Sequence, residues 1–366
     1  KRQKNTQYKK KITFFIPNFL LGGAENVFIN LANQAFRNDY VVEIIVANNK
    51  GPLKKKLNKK INIINLKKDR ISKCFYGLAL YLQRNKPDYF LSAMTHCNIL
   101  SCIVSFFIGY NGYLIIKECN NFSTNFKKKS IKYYFLYFLI NIFYNVSKKI
   151  ICLSEGVKYD FLNNFSKLKK KLKVVYNPIN IVEINEFSKE KVNILQKLNS
   201  KFKIISVGRL VKQKNYFNLI KAFEIVQKRF NNCHLIICGE GPERKKLKEI
   251  VNSLNINKYV TFLGEVQNPY KFLKNSDLFV LSSDYEGFGT VLLEAMVFNL
   301  PIVSTDCDYG PREILKNYQS KKLVKVNCHT SLAQGILELM RTKKKMNNTN
   351  LLEYSTNNIL SKYLKL

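Results

Sequence analysis

The chain is poor in histidine, in carboxylates and in closely paired cysteines, and each shortage excludes a class of function. Only 3 histidines occur among 366 residues. The 9 cysteines are scattered at positions 74, 97, 102, 119, 152, 233, 238, 307 and 328, and no two have C-x-x-C spacing. Cys97/Cys102 and Cys233/Cys238 are spaced too loosely for a zinc ribbon, so a zinc-held fold is not expected. An odd number of thiols in mostly apolar surroundings reads as reduced, buried cysteine in a cytosolic compartment. No secretory signal pattern opens the sequence, which starts at Lys1. Neither a G-x-G-x-x-G fingerprint nor a G-x-x-x-x-G-K-[ST] loop is present, which argues against the common dinucleotide and P-loop sites. Long apolar runs are missing as well. The strongest, Ile131–Val146, has a dense stretch of about 12–14 residues interrupted by Asn141 and Asn145. About 20 residues are needed to span a bilayer, so this segment reads as a buried or interfacial helix.

Positive charge and buried-type apolar residues are abundant. The balance of 61 Lys+Arg against 25 Asp+Glu is +36. It is uneven: residues 1–180 hold 32 basic and 8 acidic side chains, or +24, and residues 181–366 hold 29 and 17, or +12. Lysine runs stand at Lys54–Lys56, Lys127–Lys129 and Lys169–Lys171. Such a field suits an anionic partner: nucleic acid, an acidic membrane or a phosphorylated substrate. An A/T-rich genome would also enrich Lys, Asn and Ile, without removing the field. With 46% hydrophobic residues the chain can build real cores, and at roughly 150 residues per domain its length fits two.

The pattern is α/β, and it runs twice. Ile12–Ile16 is β-rich and ends at Pro17, Gly22-Gly23 follows, and Ala24–Phe36 has helical periodicity. Val41–Ala47, Tyr89–Ala93, Tyr113–Ile116, Lys149–Leu153 and Leu172–Tyr176 read as buried strands separated by helices. After Asn177-Pro178 comes a polar stretch, and then the pattern restarts. Phe202–Val207, His234–Cys238, Val260–Phe262, Leu278–Leu281 and Pro301–Ser304 read as strands, with a helix over Asn215–Phe230. Continuous apolar strands alternating with helices predict parallel sheets covered on both faces. The expected fold is two Rossmann-like, doubly wound parallel-sheet domains facing across a cleft, with ligands at the carboxyl ends of the strands. The expected divisions are 1–178 for the first domain, 179–200 as linker, 201–345 for the second domain, and 346–366 as a terminal helix packing back on the first. No sequence repeat accompanies the repeated architecture.

Three loops carry candidate chemistry. Gly22-Gly23 sits between a strand and a helix start, where bare backbone and free N–H groups suit a phosphate; a plain tight turn reads equally well. Ser206–Asn215 contains Arg209 and Lys214, five apart, at a strand's carboxyl end. A planar guanidinium fork and a movable ammonium there would clamp a diphosphate. Lys212 reads as an ordinary surface lysine, whereas Arg209 is one of few arginines and directly follows Gly208. The sharpest feature is Ser282–Ala295. Gly287 and Gly289 bare the backbone before a helix starting about Thr290, and Glu286 and Glu294 stand eight positions apart in a chain short of carboxylates. A carboxylate accepts paired hydrogen bonds from sugar hydroxyls. The bland reading is helix-start charge for Glu286 and an exposed helix face for Glu294.

These residues resemble glycosyltransferase family 4, retaining enzymes of the GT-B fold. Glu286-Gly287-Phe288-Gly289 with Glu294 matches the family's E-x7-E pattern. Gly208-Arg209-Leu210 with Lys214 resembles its diphosphate site, Gly239-Glu240-Gly241-Pro242 its G-x-G-P turn, and Asn177-Pro178-Ile179 its hinge. Gly22-Gly23-Ala24-Glu25 and Gly310-Pro311-Arg312-Glu313 are similar to members that build bacterial surface glycans. The resemblance implies a transferase moving a hexose or N-acetylhexosamine from a nucleotide sugar, usually UDP-linked, to a glycan or lipid-linked acceptor, with an α-bond formed. It implies Arg209 and Lys214 on the diphosphate, Glu286 on the sugar hydroxyls and Glu294 on the ribose. Gly22 and Gly23 would lie near the phosphates, and the backbone of Phe288, Gly289 and Thr290 would help at the helix start. No metal and no cofactor are implied. Asp306-Cys307-Asp308 has metal-like letters and reads as donor-pocket wall.

One position departs from the family. Lys117-Glu118-Cys119-Asn120-Asn121 stands where many relatives place a histidine, so Cys119 occupies that site, while Glu118 fits the subgroup. His96, ending another strand, is a candidate for the acceptor side, although a lone histidine is more often structural. The basic first half, with aromatic, lysine-flanked residues 126–134, is expected at an anionic membrane surface, on its cytoplasmic face. A helix packed on the sheet with solvated lysines is the alternative. Other classes fit less well. A GT-B sugar-nucleotide epimerase would need a carboxylate and histidine set that is not visible. A nucleic-acid-binding protein is supported by charge alone, without an RNP, zinc-finger or helix-turn-helix signal. A degenerate, non-catalytic sugar-nucleotide binder fits Cys119 but not the intact Arg209, Lys214, Glu286 and Glu294.

Overall fold

The computed structural model describes residues 9–20, 22–119, 122–125, 130–192, 198, 201–307, 309–342 and 350–365. The chain divides into one unit of Lys1–Pro178 with Glu353–Leu366, and another of Ile179–Leu352.

In the first unit the order is β1 (Lys11–Ile16), α1 (Gly23–Arg37), β2 (Val41–Val46), β3 (Asn62–Asn65), α2 (Phe75–Asn85), β4 (Tyr89–Ala93) and α3 (Thr95–Phe107). It continues with β5 (Tyr113–Glu118), α4 (Phe122–Asn125), α5 (Ile131–Phe143), β6 (Lys149–Cys152), α6 (Glu155–Asn164) and β7 (Leu172–Val174). The sheet order is β3-β2-β1-β4-β5-β6-β7, all parallel. Adjacent residues Phe14 and Phe15 of β1 point to opposite faces and are both fully buried, as a sheet covered on both sides requires. Loops leaving β1 and β4 diverge, which opens a crevice at their carboxyl ends.

The second unit contains α7 (Ile181–Phe187), β8 (Phe202–Val207), α8 (Tyr216–Arg229), β9 (Cys233–Cys238), α9 (Arg244–Ser253), β10 (Val260–Gly264) and α10 (Tyr270–Lys274). Then come β11 (Leu278–Leu281), α11 (Thr290–Val297), β12 (Ile302–Thr305), α12 (Pro311–Ile314), β13 (Lys321–Val324) and α13 (His329–Arg341). Its parallel sheet runs β10-β9-β8-β11-β12-β13, with the divergence between β8 and β11. Residues 179–200, read from the sequence as linker, include α7. That helix is capped by the Asn180 side chain, which accepts from the Glu183 amide, and it is tied into the second unit where Asn268 donates to the Phe187 carbonyl at 2.8 Å.

A last helix, α14 (Thr356–Lys365), belongs to the first unit: Ile359, Leu360 and Tyr363 join the core beneath α1. It lies within the terminal segment 346–366 expected to be helical, of which residues 346–349 and 366 are outside the described residues.

The segment Ile131–Val146, read from the sequence as a buried or interfacial helix, is not a buried one. It forms α5 and a short 3-10 turn, but of α5 only Ile140 is buried. Ile131, Tyr134, Phe135, Phe138 and Ile142 are exposed, Ile131 at 91%. An apolar helix of 13 residues thus shows most of its surface rather than packing it away. Residues 126–129, with the run Lys127–Lys129, lie outside the described residues.

Candidate active site

In the second unit the expected donor residues gather at the carboxyl ends of β8 and β11, which are sheet neighbours. Their loops are stitched together at several points. The Ser282 hydroxyl donates to the Lys214 carbonyl at 2.8 Å, and the Asp284 amide to the Gln213 carbonyl at 2.8 Å. Gln213 Nε2 donates to the Tyr285 carbonyl at 2.8 Å, and Asn215 Nδ2 to Asp284 Oδ1 at 2.7 Å. Asn215 also starts α8, its side chain accepting from the Asn218 amide.

This stitching sets the charged centre. Lys214 Nζ lies 2.5 Å from Glu286 Oε1, with the two side chains 19% and 6% exposed. The same carboxylate oxygen accepts from the buried Ser283 hydroxyl at 2.6 Å. Thr305, at the end of β12, fixes Ser283 by donating to its carbonyl at 2.6 Å. Glu286 is therefore held by two charge-assisted or hydroxyl donors in a nearly water-free position, where such bonds are strongest. Cys307 lies beside this pair. Its thiol is pushed up to about 12, by burial first and then by the Glu286 charge, so it is un-ionised at neutral pH. Arg209 stands on the same β8 loop, exposed and without an ion pair among the described residues.

The start of α11 follows. Phe288 is buried, and Gly289 precedes the helix at φ 90°, a left-handed conformation that favours glycine. Gly310 packs so closely on this loop that a Cβ there would meet the Phe288 carbonyl oxygen at 2.2 Å. Thr290 is the first helical residue and Glu294 lies one turn in, half-buried. The Glu294 charge adds to burial in raising the Tyr270 phenol, which places the two near each other. Asp306 is engaged by the Arg312 guanidinium, with Nε donating at 2.9 Å; Asp308 lies outside the described residues. Among the described residues no three His, Cys, Asp or Glu side chains form a group that could hold a metal ion.

The first unit brings its own candidates to the carboxyl ends of β1, β4 and β5. Gly22 caps α1, and a Cβ there would meet Glu25 Oε2 at 2.1 Å. The room made by Gly22 is thus filled by the chain's own carboxylate. Glu25 is buried at the helix start, and burial raises its pKa. Nothing lies within 4 Å of a Cβ built on Gly23. His96 is exposed in the first turn of α3, its imidazole lowered by partial desolvation and then by Lys132.

Glu118 turns inward rather than lining a wall. It is 1% exposed, and its carboxylate accepts from Thr95 Oγ1 and Asn98 Nδ2, each at 2.8 Å, and from the Tyr144 hydroxyl. Burial raises its pKa while those three donors oppose the rise. Cys119 is half-buried, and burial pushes its thiol up to about 11 against the pull of Lys117. It is no activated nucleophile near pH 7. Asn120 and Asn121 are outside the described residues. Lys117 itself is a finding that the sequence did not single out. It is 1% exposed, donates to Asn177 Oδ1 at 2.7 Å and lies 5.8 Å from the Tyr363 ring centroid of α14. Burial pushes its pKa down to about 8. Ser282, Ser283, Gln213 and Asn215 were missed in the same way. The available signal was strand order: loops following neighbouring strands must touch.

Comparison with known proteins places this geometry. A family model described as glycosyl transferases group 1 matches residues 187–351. An uncharacterised glycosyltransferase of Methanocaldococcus jannaschii is 33% identical over 253 residues, covering 67% of this chain and 62% of that protein. Campylobacter jejuni N-acetylgalactosamine-N,N'-diacetylbacillosaminyl-diphospho-undecaprenol 4-alpha-N-acetylgalactosaminyltransferase is 30% identical over 260 residues, covering 71% and 66%. The match therefore spans a little under two thirds of these two relatives. Among solved structures, a glycosyltransferase of Rickettsia africae superposes with a TM-score of 0.78 at 18% identity, covering 98% of each chain. Anabaena HepE in complex with UDP and glucose gives 0.75 at 20% identity, covering 97% and 95%. These likenesses establish the GT-B fold of two parallel-sheet α/β domains. Residues 187–351 thus match the glycosyl transferases group 1 family model, and the curated relatives at 30–33% identity are themselves glycosyltransferases.

Proposed function

We propose that this protein is a retaining glycosyltransferase of family 4 type. It moves a hexose or N-acetylhexosamine from a nucleotide sugar, with UDP the first candidate, to a glycan or lipid-linked acceptor, forming an α-bond. The single observation that carries the reading is the Lys214–Glu286 pair held by Ser283 at the junction of the β8 and β11 loops. Support also comes from the names of relatives: the Campylobacter protein acts, by its name, on a diphospho-undecaprenol-linked acceptor, and the Anabaena structure holds UDP.

The proposed chemistry uses the chain's own groups. The bond from sugar C1 to the diphosphate breaks and a bond from C1 to the acceptor oxygen forms on the same face. The acceptor's proton passes to the departing diphosphate. Negative charge grows on that leaving group, and in this proposal Arg209, Lys214 and the N–H groups opening α11 stabilise it. Fixed cations and dipoles of this kind supply most of the rate gain expected at such a site. Glu286 orients the sugar through its hydroxyls, and Glu294 is assigned to the ribose. No metal or cofactor takes part in this proposal.

A membrane-peripheral, cytoplasmic setting belongs to the same reading. Among the described residues no helix is long and apolar enough to cross a membrane. The exposed aromatic side of α5 continues onto Phe106 and Phe107 of α3, with the Phe106 and Phe143 rings 5.7 Å apart. Apolar patches of this kind on a basic surface suit insertion at an anionic leaflet.

The test is thermal stabilisation by a panel of nucleotide sugars, with Arg209→Ala as control. Stabilisation by one UDP-sugar, lost in the variant, is expected. Absence of any nucleotide effect together with tight, salt-sensitive RNA binding would overturn the reading. Vesicles containing phosphatidylglycerol should pull down the protein, and Phe135→Ser with Phe138→Ser should abolish this at unchanged melting temperature.

A further inference from the structure

The first unit has a second concavity, at the amino ends of its strands and so at the opposite edge of the sheet from Gly22, His96 and Cys119. Its volume is about 740 Å³, within the ~300–1,000 Å³ usual for ligand sites. Its lining mixes apolar surface with tyrosines, amides and lysines, among them Tyr89, Tyr113, Gln83, Asn111, Lys10 and Lys86.

Tyr89 and Tyr113 are register partners at the starts of β4 and β5. Their ring centroids lie 5.7 Å apart at 43°, and Tyr113 is 48% exposed. The wall behind them is held by the Tyr110 hydroxyl, which donates to the Pro87 carbonyl at 2.6 Å. The Asp88 carboxylate, the acidic group of the lining, accepts from the Lys11 amide at 2.7 Å.

Two ammoniums flank the rings. Lys10 Nζ lies 5.8 Å from the Tyr89 centroid and Lys149 Nζ 5.8 Å from that of Tyr113. Lys149 is only 7% exposed, and its ammonium has no hydrogen-bond partner among the described residues. Burial, with Lys173 adding, lowers its pKa. A buried cation without a partner costs stability, and an anion brought to the Tyr113 ring would offset that cost.

We infer that this cavity is a secondary site for an acidic saccharide, a sugar segment bearing carboxylate or phosphate. Flat phenol faces take the C–H face of a pyranose, the amides of Gln83 and Asn111 meet its hydroxyls, and the lining Lys10 and Lys86 meet its charge, with the buried Lys149 ammonium beside the Tyr113 ring adding to the field. The site rests on the proposed glycan acceptor and would hold an already built part of that glycan away from the reacting end.

The test is titration calorimetry on the full chain with tetragalacturonate, with neutral maltotetraose as comparison. Tetragalacturonate should bind with a dissociation constant below about 1 mM, and maltotetraose about tenfold more weakly. Tyr113→Ala should weaken tetragalacturonate about tenfold without changing the melting temperature. Lys149→Met should raise the melting temperature, as removal of a buried unpaired charge does, and should also weaken tetragalacturonate several-fold, which a merely structural lysine would not do. Arg209→Ala should leave it unchanged. Absence of tetragalacturonate binding, equal binding by Tyr113→Ala, or loss in Arg209→Ala would each overturn the site. Nucleotide-sugar stabilisation in the same preparations separates the readings. If it is present while tetragalacturonate fails, this site alone falls; if it is absent, the transferase reading falls.

Discussion

The two units share one architecture and use it differently. The second holds its charged groups in a tight lattice, with Lys214, Ser283 and Thr305 all converging on Glu286 or its support. The first buries Lys117 and Glu118 at the carboxyl end of the interior strand β5 and exposes a set of aromatics on α3 and α5. Among the described residues, fourteen of the exposed large apolar side chains lie in the first unit and six in the second. With +24 of the charge in residues 1–180, the proposed function gives the first unit to surfaces and partners, and the second to a small anionic ligand. The same strand-and-helix framework tolerates both because function sits in loops and outer faces, not in the core.

Removing a charged group of the lattice is the hardest test of that division. Lys214→Ala and Arg209→Ala should each lower kcat/KM for transfer about 100-fold or more. Arg209→Ala should shift nucleotide-independent stability by no more than about 1 kcal/mol, since Arg209 is exposed, whereas Lys214→Ala should cost more, because it leaves the buried Glu286 carboxylate without its cation. If Glu286→Ala kept full transfer activity, the assignment of the site to this lattice would fail.

A smaller effect is expected from Ser283→Ala. It deletes one hydrogen bond to a carboxylate, about 1.5–3 kcal/mol, and should appear as a roughly tenfold or greater loss of turnover. Steady-state kinetics on the folded variant would show it. Restored activity in Ser283→Thr would separate positioning from packing.

The buried charges of the first unit should show up in stability instead. Glu118→Gln should cost about 1–3 kcal/mol in denaturant unfolding while leaving donor stabilisation intact. Lys117 gives a pH signature. Its folded pKa, about 8, lies below the ordinary lysine value of 10.5, so between these values the unfolded chain binds more protons and stability rises with pH. The burial penalty is fully present below pH 8 and is relieved above it. The melting-temperature gap between Lys117→Met and the wild-type should therefore shift in favour of the wild-type from pH 7 to 10.

The smallest effect is expected at Cys119. Its thiol is un-ionised near neutral pH, so Cys119→Ala should change turnover by less than about twofold. A large loss would return a chemical role to the first unit and blur the contrast.

Central strands were legible because both their faces are buried. Tyr89–Ala93, Phe202–Val207 and Leu278–Leu281 have the ends read from their apolar runs. Of the four edge strands β7 and β10 were read, but β3 and β13 were not: β3 reads Asn-Ile-Ile-Asn and β13 begins with two lysines, since an edge meets water and need not keep a continuous apolar run. The helix Ile131–Phe143 was visible as a helix, but apolar content alone does not distinguish a buried face from an offered one. In the site, Glu286 and Lys214 stood out as scarce or well-placed charges. Ser283 and Asn215 did not, because a serine or asparagine acquires meaning only when a neighbouring strand brings a loop against it.

The return of α14 has a consequence for how the protein is made. Ile359, Leu360 and Tyr363 complete a core whose other members begin at Ile12. On the ribosome the first unit emerges first, yet it waits for residues translated after the whole second unit before its core can close. The second unit, contiguous from Ile179 to Leu352, has all its parts earlier. Order of synthesis and order of completion are thus reversed, and a nascent chain halted before Thr356 would hold a finished second unit beside an unsealed first one, open to chaperones and proteases.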